Sequence, residues 1–406
     1  MSNQPNNSLF KLIHSMEKNE LVYFKREINS TDQNQYLIIF NILLKMKTYS
    51  EKELFKLLPR STSKNLSRNK NYLYNLILKS LRNYHAEGDL RIQIHNRIID
   101  FHLLYHKGLK KEALKRLKLL KKVIDETNNL EIQLINQKLK YQINQEKNEY
   151  ETNIELSEKI NTIVLQLKTW CEMINHVSIL KVKTEQGLKT ETDNKHSLSV
   201  DPEIVNNNID LQLLRNTINA LSYRQEGNYL EAYQYIKQSK DLIVNNKTFQ
   251  DLNPQSLYKT LSNNYLFSSH LELKEDCIEN LKDMEINLNL NNRYKNSPVT
   301  AKKWLTFYSN SLAEMMRNKK FDEGAKFIID QISPWFVKEK EKLPFNTRGQ
   351  INYFFLICFF FDNQEKLFNK FLESFTVYCQ KSKEFEWLFA IQIMQLQFEY
   401  QKSNWK

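Results

Sequence analysis

Arg224–Ser239 reads RQEGNYLEAYQYIKQS, and its glycine is one of only six in 406 residues. The run Lys107–Lys122, KGLKKEALKRLKLLKK, repeats the arrangement. In both, three residues separate the glycine, Gly227 or Gly108, from a Glu-Ala pair. Apolar side chains on either side recur at intervals of three and four, which places them along one face of an α-helix. After Gly108, Ala113, Leu117, Leu120 and Ile124 make one stripe, while Lys111, Lys115, Lys118 and Lys122 make another. The first stripe is to be buried and the second is a row of ammonium groups in water. A glycine between two such patterns fits a helix C-terminus that turns into the left-handed region, where a Cβ is penalised. The stretch therefore predicts two helices joined by a tight turn.

The rest of the composition agrees with an all-α chain. Six Gly and seven Pro fall far below the usual shares of roughly 7 % and 5 %, which argues against the frequent tight turns of β-rich folds. The many asparagines compete for backbone hydrogen bonds and are expected at helix ends. At roughly 150 residues per domain the length allows two or three domains or one elongated array. MSNQPNNSLF at the start lacks the basic-then-apolar order of a secretory signal. The longest apolar run, Tyr353–Phe361 (YFFLICFFF), is far short of the roughly 20 residues that cross a bilayer and reads as a buried helix. Cys171, Cys277, Cys358 and Cys379 form no C-x-x-C pair, so neither a disulfide framework nor a zinc site is implied, and a reducing cytoplasm is expected.

Charge is distributed unevenly. Residues 1–150 hold 27 Lys and Arg against 15 Asp and Glu, whereas residues 151–406 hold 32 of each, so the whole net charge of +12 lies in the first part. Such asymmetry fits either a polyanion-binding surface or a lysine-rich solvated helix face. Asp201-Pro202, Asn253-Pro254, Ser297-Pro298 and Ser333-Pro334 each place a capping side chain before a proline, and all four are expected to start helices. Residues 186–208 are polar and read as a linker. The expected organisation is a basic N-terminal helical region at 1–95, a first helical-repeat block at 96–185, the linker at 186–208 and a second block at 209–406.

Around Gly227 the pattern resembles the tetratricopeptide repeat, whose paired helices stack on neighbouring pairs. Ala220 and Tyr223 stand on the first helix, Gly227 in the turn, and Tyr229, Ala232, Ile236 and Ser239 on the second. A second copy gives Phe101, Leu104, Gly108, Lys110, Ala113, Leu117 and Leu120. A third gives Leu312, Met315, Phe321, Gly324 and Ile328, with Lys319 replacing the turn glycine. A fourth, weaker copy puts Cys277 at the small slot. The resemblance spans residues 96–380 at low fidelity and implies a divergent α-solenoid. LFKLIHSMEKNELVYFKREI and NKNYLYNLILKSLRNYH resemble the N-terminal region of a group of uncharacterised helical-repeat proteins, mostly from Bacteroidota. That resemblance implies a cytoplasmic protein with a helical N-terminal region leading into repeats, and it implies no activity.

Phosphate-loop, dinucleotide-binding, G-x-S-x-G and H-E-x-x-H motifs are all missing, so no catalytic, cofactor-binding or metal residue is assigned. His102 and His106 share a helix face but lack an obvious third ligand. The other reading puts His102 at a helix interface and His106 near the turn. The stretch 45–82, KMKTYSEKELFKLLPRSTSKNLSRNKNYLYNLILKSLR, is compatible with a helix-turn-helix in which Arg60, Lys64, Arg68 and Lys70 contact DNA, with Tyr72 or Tyr74 nearby. The apolar run that follows, and an irregular presumed turn containing Pro59, instead favour a packed bundle helix. The expected function is a non-catalytic scaffold or adaptor that holds a protein or peptide. The alternative is a nucleic-acid-binding regulator that uses Arg60 to Lys70 and the lysine stripe of residues 111–122.

Overall fold

The computed structural model describes residues 7–29, 34–59, 65–127, 129–146, 150–186, 202–206, 208–290, 297–344, 347–382 and 385–403. Among them are 21 α-helices and no strand. The chain divides into two compact units, one of Met1–Ile218 with Leu242–Asn253, the other of Asn219–Asp241 with Pro254–Lys406.

The first unit opens with α1 (Ser8–Ser15), α2 (Lys18–Asn29), α3 (Asn34–Lys45), α4 (Glu51–Leu57) and α5 (Leu66–His85). Their apolar faces close on Phe24, Ile39, Phe40, Leu43, Leu54, Leu73 and Ile77. The α5 helix packs on α1, α2 and α3, and a buried Glu20 ties α2 to it through His85 at 2.6 Å. Next come α6 (Leu90–His106), α7 (Lys110–Thr127), α8 (Leu130–Glu146) and α9 (Tyr150–Glu185), each packed on its predecessor within this series. The short α10 (Pro202–Asn206) buries Val205 beside Met173 and Leu211. The rest of the 186–208 segment, apart from Gln186 and Asn208, lies outside the described residues.

A hairpin of α11 (Ile209–Gln225) and α12 (Tyr229–Val244) leads to α13 (Lys247–Leu252). This last helix rests on α6 and α7, where Leu252 joins their core and Asn246 and Thr248 donate to Glu126 at 3.1 and 3.0 Å. The second unit continues with α14 (Ser256–His270), α15 (Lys274–Leu290), α16 (Pro298–Arg317), α17 (Phe321–Phe327) and α18 (Ser333–Glu339). It ends with α19 (Thr347–Phe361), α20 (Glu365–Ser382) and α21 (Phe385–Ser403). Tyr258, Tyr265, Leu312, Ile328, Phe355, Phe359, Phe368 and Phe375 fill its core. The YFFLICFFF run lies in α19, with Phe355, Leu356 and Cys358–Phe360 buried, Tyr353, Phe354 and Ile357 half-buried and Phe361 exposed. No helix among the described residues is long and apolar enough to cross a membrane.

Five hairpins share one turn. Gly108, Gly227, Glu272, Lys319 and Asn363 all have positive φ, at 76°, 80°, 60°, 58° and 55°. In each, that residue's N–H donates to the carbonyl three back and the next N–H to the carbonyl five back, as with Gly227 to Arg224 (3.1 Å) and Asn228 to Tyr223 (2.9 Å). These paired bonds satisfy carbonyls that a helix end would otherwise leave open. Counting from the turn residue, the residues seven before and five after are buried in every case. They are Phe101 and Ala113, Ala220 and Ala232, Tyr265 and Cys277, Leu312 and Gly324, and Leu356 and Phe368. The fifth hairpin, α19 with α20, escapes a glycine-led reading because asparagine makes its turn. A β-carbon at Gly324 would stand 3.0 Å from Cys358 Sγ, so that glycine sits there for close approach.

Two of the four proline expectations fail. Ser297 caps α16 by accepting from the Thr300 N–H at 3.1 Å, with Pro298 at the first position, as expected. Helix α10 begins at Pro202, while Asp201 lies outside the described residues. Pro254, however, falls in the turn before α14, and Asn253 instead closes α13. Pro334 lies within continuous helix, because a π turn at Ile328–Ile332 precedes it and Ser333 donates to Ile328. Widening to a five-residue bond relieves the loss of proline's N–H and the clash of its ring with the preceding turn. The extra residue also moves the burial register: the twelfth position after the turn is buried in the other four hairpins, but here Gln331 is exposed and Ile332 is buried. Asparagine does occupy helix starts, with Asn129, Asn208, Asn228 and Asn246 each accepting an N–H three residues on.

Candidate functional site

Basic residues on the first unit form two groups. On α7, Lys111, Lys115 and Lys118 are exposed along one face, and Lys122 follows on the same helix. On α5, Arg68 is exposed in the first turn, whereas Lys70 is held by Glu51 at 2.6 Å and Tyr49 at 3.2 Å. Burial opposes charge on Lys70, but its bonds to Glu51 and Tyr49 prevail and raise its pKa above the usual lysine value. Arg60 and Lys64 lie outside the described residues. Of the two tyrosines, Tyr72 stacks on Tyr36 with ring centroids 4.6 Å apart, and Tyr74 is half-buried against the bundle core.

A further basic cluster crosses three helices. Lys121 on α7 and Lys159 on α9 both act electrostatically on Lys140 of α8. Burial first, then the like charges of Lys121 and Lys159, push the Lys140 pKa below the usual lysine value, with Asp125 opposing. Lys121 adjoins the stripe read from sequence, but its partners come from other helices. Only the packing of α8 on its neighbours brings them together.

His102 and His106 are both exposed, with ring centroids 6.5 Å apart. His102 is thus not at a helix interface. Its neighbour Asp100 faces Arg116 at 3.6 Å. Among the described residues no group of three His, Cys, Asp or Glu side chains converges as a metal ion needs. An open hollow of about 570 Å³ is lined by Ile42, Lys45, Met46, Lys47, Thr48, Glu53 and Leu57. Glu53 is its only carboxylate.

In the second unit the hairpin contacts are built from small residues and tyrosine. Ala220 and Ala232 meet with Ile236, surrounded by Tyr223, Tyr235 and Phe267. Tyr223 stacks on Tyr235 at 5.8 Å, Tyr229 lies over His270 at 3.9 Å, and Phe321 stacks on Phe361 at 4.4 Å. Polar anchors then fix one hairpin on the next. Tyr233 donates to Asp276 at 2.7 Å, and a largely buried Lys240 reaches Glu279 at 3.0 Å and Asp283 at 2.8 Å. Tyr258 and Tyr265, seven apart on α14, donate to the α16 carbonyls of Lys303 and Asn310. Burial pushes the phenols upward, Tyr265 and Tyr308 to about 12, with Arg317 opposing the shift at Tyr265.

Comparison with protein-family models, curated proteins and solved structures finds no match to this chain. The molecule is an all-α protein whose successive helices pack in pairs, as a helical repeat array does.

Proposed function

We propose that the chain is a non-catalytic binding scaffold, a divergent tetratricopeptide-like α-solenoid that holds a protein or peptide partner. One observation carries this reading: five hairpins use the same left-handed turn in the same burial register. A repeated hairpin exposes successive helix faces side by side, and such faces bind extended partners. Lys259 and Leu266 on α14 and Lys302 on α16 are exposed on the leading helices of successive hairpins. Affinity recovery from native lysate, with and without nuclease, tests the reading. A defined protein is expected to survive nuclease and to be lost with Lys259→Glu, Leu266→Glu and Lys302→Glu combined. Partner retention indifferent to these substitutions argues against it.

The three-helix lysine cluster favours a second reading, contact with a nucleic-acid backbone through the first unit. The ammonium groups of Lys121 and Lys159 both repel that of Lys140, with Asp125 as the opposing charge, and phosphates would relieve that repulsion. Binding to duplex DNA should weaken with salt, and each of Lys121→Gln, Lys140→Gln and Lys159→Gln should reduce the slope of log affinity against log salt by about 1. Absence of binding at low salt removes this reading.

A further inference from the structure

Helix α21 carries apolar side chains on two faces. Ile391 and Met394 are buried in the core of the second unit at 2 % and 9 % exposure. Phe389, Ile393, Leu396 and Tyr400 instead remain 66, 40, 70 and 67 % exposed. A single exposed leucine needs no explanation. Four large apolar side chains at intervals of four, three and four form the seam by which one helix packs on another. Between Phe389 and Tyr400 the helix has one charged residue, Glu399, and no lysine or arginine, although the chain as a whole carries +12. On this face two like-charged molecules can approach without setting ammonium groups against each other.

We propose that α21 is a dimerisation helix whose seam packs antiparallel on the same seam of a second copy of this chain. The interval order reads identically in both directions, so reversal sets Phe389 against Tyr400 and Ile393 against Leu396. A two-fold contact requires such self-complementarity. Antiparallel packing also sends the two Glu399 carboxylates to opposite ends and opposes the helix dipoles favourably. The exposed parts of these four side chains amount to roughly 500 Å² per copy, so the pair buries about 1,000 Å², at the low end for specific association. A contact of this size belongs with weak, reversible association.

Sedimentation velocity of the full chain from about 1 to about 100 µM tests this, since that range brackets a contact of such size. The mass should rise with concentration toward twice that of the chain. Leu396→Glu and Ile393→Lys should each weaken association at least tenfold, while circular dichroism shows unchanged helicity. Mixing these two variants should restore a dimer, because residue 396 faces residue 393 of the other copy. Leu290→Glu, at an exposed apolar position on α15, should leave association unchanged. If either seam variant loses helicity, Phe389→Lys, at an outward position, takes its place. A chain that stays monomeric throughout overturns the proposal, as does a dimer indifferent to the folded seam variants. Failure of the mixture to associate overturns the antiparallel register.

Discussion

At Lys319 and Glu272 the backbone adopts a left-handed conformation that an L side chain reaches only at a cost of about 1–2 kcal/mol. Asn363 bears less, because its short polar side chain tolerates that region. The turns persist because both helices of each hairpin are anchored by buried contacts that leave the connecting residue no alternative. Lys319→Gly should therefore stabilise the second unit by about 1 kcal/mol, measured as a shift in urea midpoint at unchanged slope. Gly227→Ala should destabilise by about 1–2 kcal/mol from backbone strain alone, because a β-carbon there meets nothing within 4 Å. Gly324 has the opposite problem, with ordinary helical backbone but a crowded side-chain position against Cys358. Gly324→Ala should cost about 1 kcal/mol, and Cys358→Ala in the same chain should recover part of it, read from a double-mutant cycle.

Among the elements, the α14–α16 contact shows how hairpins are held in register. Apolar burial alone tolerates sliding, whereas Tyr258 and Tyr265 each reach one particular carbonyl a fixed distance along the neighbouring helix. Tyr265→Phe should cost about 1 kcal/mol near neutral pH through loss of one hydrogen bond. The same phenols predict alkaline sensitivity. In the fold Tyr265 and Tyr308 keep their protons up to about 12, against 10.0 without burial. Between those values the unfolded chain holds fewer protons, so stability is complete below pH about 10 and is lost as pH rises toward about 12. Denaturation midpoints at pH about 9 and about 11 should show this fall, and Tyr265→Phe should make it shallower. The π turn in the 321–339 segment is a second element-scale device. It lets Pro334 remain within a helix and restores the buried face with Ile332 one position later.

For the whole molecule, helices and hairpins are legible because their signals are local. Intervals of three and four set each buried face, and Gly108 and Gly227 mark two turns by chemistry that needs no distant partner. Lys319 was legible once that register was known, but Asn363 was not, because nothing in Phe-Asp-Asn-Gln distinguishes its turn from an ordinary polar loop. The proline at 334 misled for a related reason: a helix start and a tolerated interior proline share the same dipeptide, and only the π turn separates them. The lysine stripe of α7 was readable, yet the approach of neighbouring Lys121 and of Lys159 to Lys140 required the packing of α7, α8 and α9. Likewise both faces of α21 are apolar in sequence, and burial of Ile391 and Met394 chooses which one stays outside. By itself the sequence determined an all-α chain of paired helices, since backbone hydrogen bonding and amphipathic periodicity act within a few residues. Only tertiary structure decided which lysines meet and which apolar seam remains exposed, because contacts between residues far apart in the chain settle both.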